Sequence, residues 1–132
     1  MTGTVHSLLG AAVGSLCGRR LNAFVSGVFS HIIADSIPHR DIDPRIDVPA
    51  TAVLLYEIAE KYGSDSPEFW GAVGGVIPDI EHAASLCGCD KKYFHTHVDD
   101  GKHHGRLTKT LLSQFITGGA AIAVLLLKQT KR

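Results

Sequence analysis

Three stretches of this chain carry no Asp, Glu, Lys or Arg: Met1 to Gly18, Leu21 to Ala34 and Thr110 to Leu127. The charges gather elsewhere. Asp35 to Asp47 carries Asp35, Arg40, Asp41, Asp43, Arg45 and Asp47, and the segment from Asp90 to Lys109 is crowded with His, Asp and Lys. No internal repeat interrupts this pattern, and no alternating apolar–polar run is bounded by the Asn-Gly or Asp-Gly turns of a hairpin. The sequence therefore reads as helical throughout.

Composition narrows the function classes. A chain of 132 residues suits a single domain. Thirteen basic and thirteen acidic residues give zero net charge, so no nucleic-acid binding surface of clustered Lys and Arg is evident. With 45% hydrophobic and 20% charged residues the chain is not of the disordered class. Three cysteines and no basic-then-apolar leader argue against a secreted disulfide scaffold. Histidine is in excess, with eight residues.

Five helices are expected. The first runs from about Thr4 to Cys17 and the second from about Leu21 to Ser36, stopped by Pro38. A third starts around Val48, with Pro49 in its first turn, and continues through Glu60. The fourth opens at Ser66 with Pro67 and Glu68 behind it, and Pro78 breaks or kinks it before a continuation to Leu86. The last runs from about Leu107 to Lys128. Gly10, Gly14 and Gly18 fall on one face of the first helix and permit close approach to a neighbour. The expected fold is all-α, a compact bundle of about five helices forming one domain over 1–132, with a His/Asp cluster at one end.

That cluster follows from counting along the chain. The short connection Gly18-Arg19-Arg20-Leu21 makes the first two helices an antiparallel pair. At 1.5 Å per residue both arms extend roughly 17–22 Å from the turn, so His6 and the pair His31/Asp35 reach the same end. His31 and Asp35, spaced i,i+4, share a face, and His39 and Asp41 follow after Pro38 at that end. In the fourth helix Asp79 and His82 are spaced i,i+3 beside Pro78, and His103 and His104 immediately precede the last helix. Imidazoles with carboxylates suit Zn, Fe or Mn, whereas Ca and Mg prefer oxygen alone. A lone His on an apolar helix is commonly a satisfied core residue, and Asp35 and Asp79 are also read as helix-end groups. Together, however, His31 and Asp35 in an apolar stretch carry a desolvation cost unless paired or bound to a cation. A separate reading takes Cys87, Cys89, His95 and His97 as a tetrahedral zinc site, in a spacing unlike the usual finger patterns.

Three segments resemble a known family. Ser30-His31-Ile32-Ile33-Ala34-Asp35-Ser36-Ile37-Pro38-His39 is similar to the Ser-His-x-x-x-Asp-x-x-Pro-His segment of small, often membrane-bound metal-dependent hydrolases. That family is distantly similar in motifs to zinc-dependent phospholipase C and P1-type nucleases. Ile77-Pro78-Asp79-Ile80-Glu81-His82 resembles its Leu-Pro-Asp-x-Asp-His motif, and His6-Ser7-Leu8-Leu9-Gly10 its opening His-x-x-x-Gly. The resemblance implies an all-helical fold with His6, His31, Asp35, His39, Asp79 and His82 as divalent-metal ligands, zinc foremost. Two departures stand out: the Pro-Asp segment follows the Ser-His segment here, and Lys109 stands where a third motif carries a His.

The expected function is that of a metal-dependent hydrolase acting on a small-molecule or lipid phosphoester through a metal-bound water, with Glu81, or a carboxylate released from the metal, as general base. The alternative is a non-catalytic, metal-stabilised membrane or interaction protein. Thr110–Leu127, followed by Lys128, Lys131 and Arg132, is at the lower edge of bilayer-spanning length. Arg19 and Arg20 lie at the hairpin end away from the cluster, in keeping with a positive-inside arrangement. Membrane association is the expected localisation, and a soluble cytoplasmic bundle with a buried last helix the alternative.

Overall fold

Three of the helices begin where a side chain accepts from a first-turn amide. A computed structural model describes residues 1–80, 84, 88 and 110–130. Thr2, in extended backbone, accepts from the Val5 amide and opens α1 (Gly3–Gly14). Beyond Gly14 the chain tightens into i,i+3 bonds from Leu16 to Val13 and from Cys17 to Gly14, so α1 is shorter than the expected span to Cys17. α2 (Arg20–Asp35) begins at the second of the two arginines, with Arg19 as its extended N-cap residue, and ends ahead of Pro38.

α3 (Pro44–Tyr62) starts earlier than Val48. The Asp43 carboxylate accepts from the Arg45 amide at 2.9 Å, and Pro44 takes a first-turn position where a missing N–H is harmless. Pro49, expected in that role, lies inside the helix on an exposed face. Gly63, at φ +92°, closes α3 in a conformation that residues with a Cβ rarely adopt. α4 (Pro67–Val76) opens as expected, with Ser66 accepting from the Phe69 amide at 3.1 Å. Pro78 lies in a 3-10 turn, Ile77–Asp79, which follows α4. The continuation expected towards Leu86 falls largely outside the described residues. α5 (Leu112–Gln129) begins after non-helical Thr110 and Leu111, later than the expected Leu107, which is itself outside the described residues.

The bundle is built around α1, which packs against the other four helices. Gly75 meets His6 while Pro67 meets Gly14, so α4 runs antiparallel to α1, as α2 does. Asp47 bonds the start of α1, and Tyr62 accepts from Gln129 at the far end. Gln114 accepts from the Thr2 amide, and Lys128 reaches the Ser15 carbonyl. α3 and α5 therefore run parallel to α1.

Small residues make the interior. A methyl placed at Gly10 or Gly27 would overlap the Gly71 carbonyl, one at Gly71 the Gly10 carbonyl, and one at Gly74 the Phe24 carbonyl. α1, α2 and α4 thus touch backbone to backbone, which only glycine allows. Gly10 and Gly14 take the part expected of them, whereas a methyl placed at Gly18 would meet no other described residue within 4 Å, its chain neighbours aside. Ala11, Ala23, Ala34 and Ala72 are fully or almost fully buried. Large aliphatic and aromatic side chains point outward instead: Leu21 is 72% and Phe115 73% exposed, with Phe29, Ile33 and Leu127 similarly placed. Among the described residues α5 is long and apolar enough to cross a membrane, judged by length and composition.

Candidate metal centre

The antiparallel α1–α2 pair and the parallel α2–α4 pair bring three sequence-distant segments to one end of the bundle. His6 from the first turns of α1, His31 and Asp35 from the end of α2, and Asp79 from the turn after α4 converge there. One ligand atom from each of His6, His31 and Asp79 lies within 4.8 Å of the other two. The His6 and His31 rings stack with centroids 3.9 Å apart at 27°. Both imidazoles are completely buried and Asp35 almost so.

Asp35 holds both rings. Its Oδ1 is 2.9 Å from His6 Nε2 and its Oδ2 is 3.1 Å from His31 Nε2. The Met1 amine also donates to Oδ1, at 2.9 Å. Asp79 stands further off, 4.0 Å from His6 Nε2 and 3.9 Å from His31 Nε2. The protonation pattern follows from partners. A carbonyl only accepts, so the 2.8 Å contact between His31 Nδ1 and the Gly75 oxygen places a proton on Nδ1. Nε2 of His31 is left facing two carboxylates. In a neutral ring that nitrogen is a lone pair, the arrangement by which metal-binding histidines are oriented through their other nitrogen.

Electrostatics sharpen the contrast between the two rings. Burial drives His6 down to about 3, despite the Asp35 bond, so it is a neutral ring near pH 7. Burial also pulls His31 down, but its Asp35 bond and the Asp79 and Asp35 charges outweigh that and raise it. Burial would raise Asp35, yet the two imidazoles hold it well below the carboxylate range. Asp79 is pushed up to about 7 by burial first, with Asp35 adding to the rise and His31 opposing it. His6 Nδ1 is buried without a hydrogen-bond partner among the described residues.

His39 is fully buried beside this group but turned to other partners. Its Nδ1 donates to the Ile37 carbonyl at 2.8 Å, and Nε2 faces Asp41 Oδ1 at 3.2 Å. Burial lowers its affinity for a proton, and the Asp41 and Ile37 contacts more than restore it. His39 therefore lies outside the trio of His6, His31 and Asp79. Glu81, His82, His103 and His104, and likewise Cys87, Cys89, His95, His97 and Lys109, lie outside the described residues.

Two contributors had no clear mark in the sequence. The Gly75 carbonyl orients His31; the Gly74-Gly75 pair just before Pro78-Asp79 was the available signal. Asp47 secures the N-terminus of α1, accepting from the Gly3 amide at 2.7 Å and the Thr4 hydroxyl at 2.8 Å. It thereby fixes the register of His6, one turn on. Comparison with known protein families, characterised proteins and solved structures gives no match to this chain.

Proposed function

We propose that this chain is a membrane-associated, metal-dependent hydrolase that acts on a phosphoester. The observation that carries the reading is the buried meeting of two imidazole nitrogens with the Asp79 carboxylate, closely flanked by Asp35, where His31 is already oriented through its far nitrogen. Nitrogen and oxygen donors in this mixture suit zinc, and next iron or manganese, better than calcium or magnesium. His6, His31 and Asp79 would hold the ion, with Asp35 steadying both rings or joining them. Once bound, such an ion supplies a Lewis acid for a phosphoryl oxygen and acidifies a water near neutral pH.

The membrane part of the reading draws on the placement of side chains. Glycine and alanine inside with leucine, isoleucine and phenylalanine outside is costly in water and ordinary in lipid. Among the described residues Arg19, Arg20, Lys61 and Lys128 lie at the end away from the His/Asp group and Arg40 and Arg45 at the near end, an excess in the direction of the positive-inside tendency.

Elemental analysis of the purified full chain beside His31→Ala tests the centre, and turnover of bis(4-nitrophenyl) phosphate with and without chelator tests the chemistry. Wild type should hold metal and lose turnover on chelation, and the variant should hold less metal. Equal metal in both proteins removes His31 from the centre, and chelator-insensitive turnover removes the mechanism. Because the group joins α1, α2 and the end of α4, a purely structural ion is the second reading. Bound metal whose removal lowers thermal stability, with no ester turned over, would select it.

A further inference from the structure

A cleft of about 320 Å³ opens between the start of α1, α3 and the second half of α4. It lies at the lower end of the roughly 300–1,000 Å³ of small-molecule sites. Val48, Ala52 and Leu55 of α3 and Val73, Val76 and Ile77 opposite them give it aliphatic walls. Its acidic groups do not spread evenly. Asp79 belongs both to this lining and to the metal group. Asp41, also on the lining, is 3.8 Å from the Met1 amine that donates to Asp35. Asp47, a third, is spent on the amides of α1. α3 runs away from the His/Asp group and α4 runs towards it, so Leu55 and Val73 mark the far, apolar end.

We infer that this cleft binds the apolar part of an amphipathic ligand whose polar end lies at Asp79. For the identity of that ligand as an alkyl phosphoester substrate, the inference rests on the hydrolase reading. A nucleotide or sugar phosphate fits poorly, because its hydroxyls would lose water against aliphatic walls without gaining partners. An alkyl chain loses nothing there. The carboxylates at the polar end repel a bare anion, so a phosphate head is accepted only beside a bound cation.

Calorimetry on the purified full chain, with identical amphiphile in cell and syringe, tests this with two probe series. These are n-alkanols and n-alkyl phosphates from butyl to decyl, each titrated into metal-free and zinc-loaded protein. Alkanol affinity should rise roughly fourfold per added methylene until the cleft is filled, with or without zinc. Alkyl phosphates should show the same dependence and a further gain only with zinc. Ala52→Phe, which projects a ring into the cleft and narrows it, should bring the plateau to shorter chains, and Leu55→Ala should move the plateau to longer chains. Affinity indifferent to chain length, or a dependence unchanged in both variants, overturns the inference. Chain-length dependence that responds to both variants while zinc adds nothing for phosphates upholds the cleft and sinks the hydrolase reading.

Discussion

Gly71→Ala is expected to damage the candidate metal centre without touching any of its side chains. The added methyl would overlap the Gly10 carbonyl oxygen and sit 2.8 Å from the Gly14 Cα. Carbon atoms prefer about 3.5–4.0 Å, so α4 must withdraw from α1 by about 1 Å. Gly75 lies one turn further along α4 and would move with it. His31 belongs to α2, and a shift of that size along the 2.8 Å bond from His31 Nδ1 to the Gly75 oxygen would stretch it to about 3.8 Å, which is no longer a hydrogen bond. Overpacking costs about 1–3 kcal/mol, and a buried N–H left without its acceptor about 1–3 kcal/mol more. The better helix propensity of alanine returns roughly 0.5–1 kcal/mol. The net loss is about 1–5.5 kcal/mol, a fall in Tm of about 4–20 °C for a chain of this size. Gly119→Ala is the control, because among the described residues nothing beyond its own helix lies within 4 Å of a methyl there, and it should leave Tm unchanged or slightly raised. Thermal melts followed by circular dichroism, with zinc content assayed on the same samples, read both effects. A Gly71→Ala protein that melts and binds zinc like wild type, or a Gly119→Ala protein that falls equally far, would refute the close-packed seam.

Two further outcomes follow from the charges. Asp79 has its folded pKa raised to about 7, above the usual carboxylate value, so in metal-free protein the folded state keeps a proton that the unfolded state has lost. Its contribution to stability is therefore full below about pH 4 and is lost as pH rises towards 7. In chelator, Asp79→Asn should melt higher than wild type at pH 8 and show no such difference at pH 4; a lower melt at pH 8 contradicts the burial of a strained carboxylate. Asp47→Ala removes the acceptor for the Gly3 and Thr4 groups and should destabilise by about 1–2 kcal/mol, measured by denaturant titration. A loss within error would show that water replaces the carboxylate at no cost.

Much of the centre was legible because helices convert chain separation into distance. Two uncharged arms of similar length about a short turn place His6 opposite His31, and i,i+4 spacing adds Asp35. Asp79 was marked by its proline. His39 shows where such counting stops: it reaches the correct end, yet Asp41 and the Ile37 carbonyl, both local, capture its nitrogens. Helix boundaries were less legible. Pro44 and Pro49 both suit a first turn, and the Asp43 cap decides between them. The start of α5 was hidden because an uncharged run states its composition but not where its first amide finds a partner. Asp47 on α1 and Gly71 against Gly10 arise from tertiary contact, which no local pattern announces.

The group that sets the His31 tautomer is a main-chain oxygen. No side-chain replacement at position 75 can delete it, as an alanine would delete a carboxylate partner. Ordinary alanine scanning would thus pass over the group that holds this imidazole by its far nitrogen. Probing that group calls for editing the backbone itself, for instance by introducing an ester linkage in place of the peptide that carries the Gly75 oxygen.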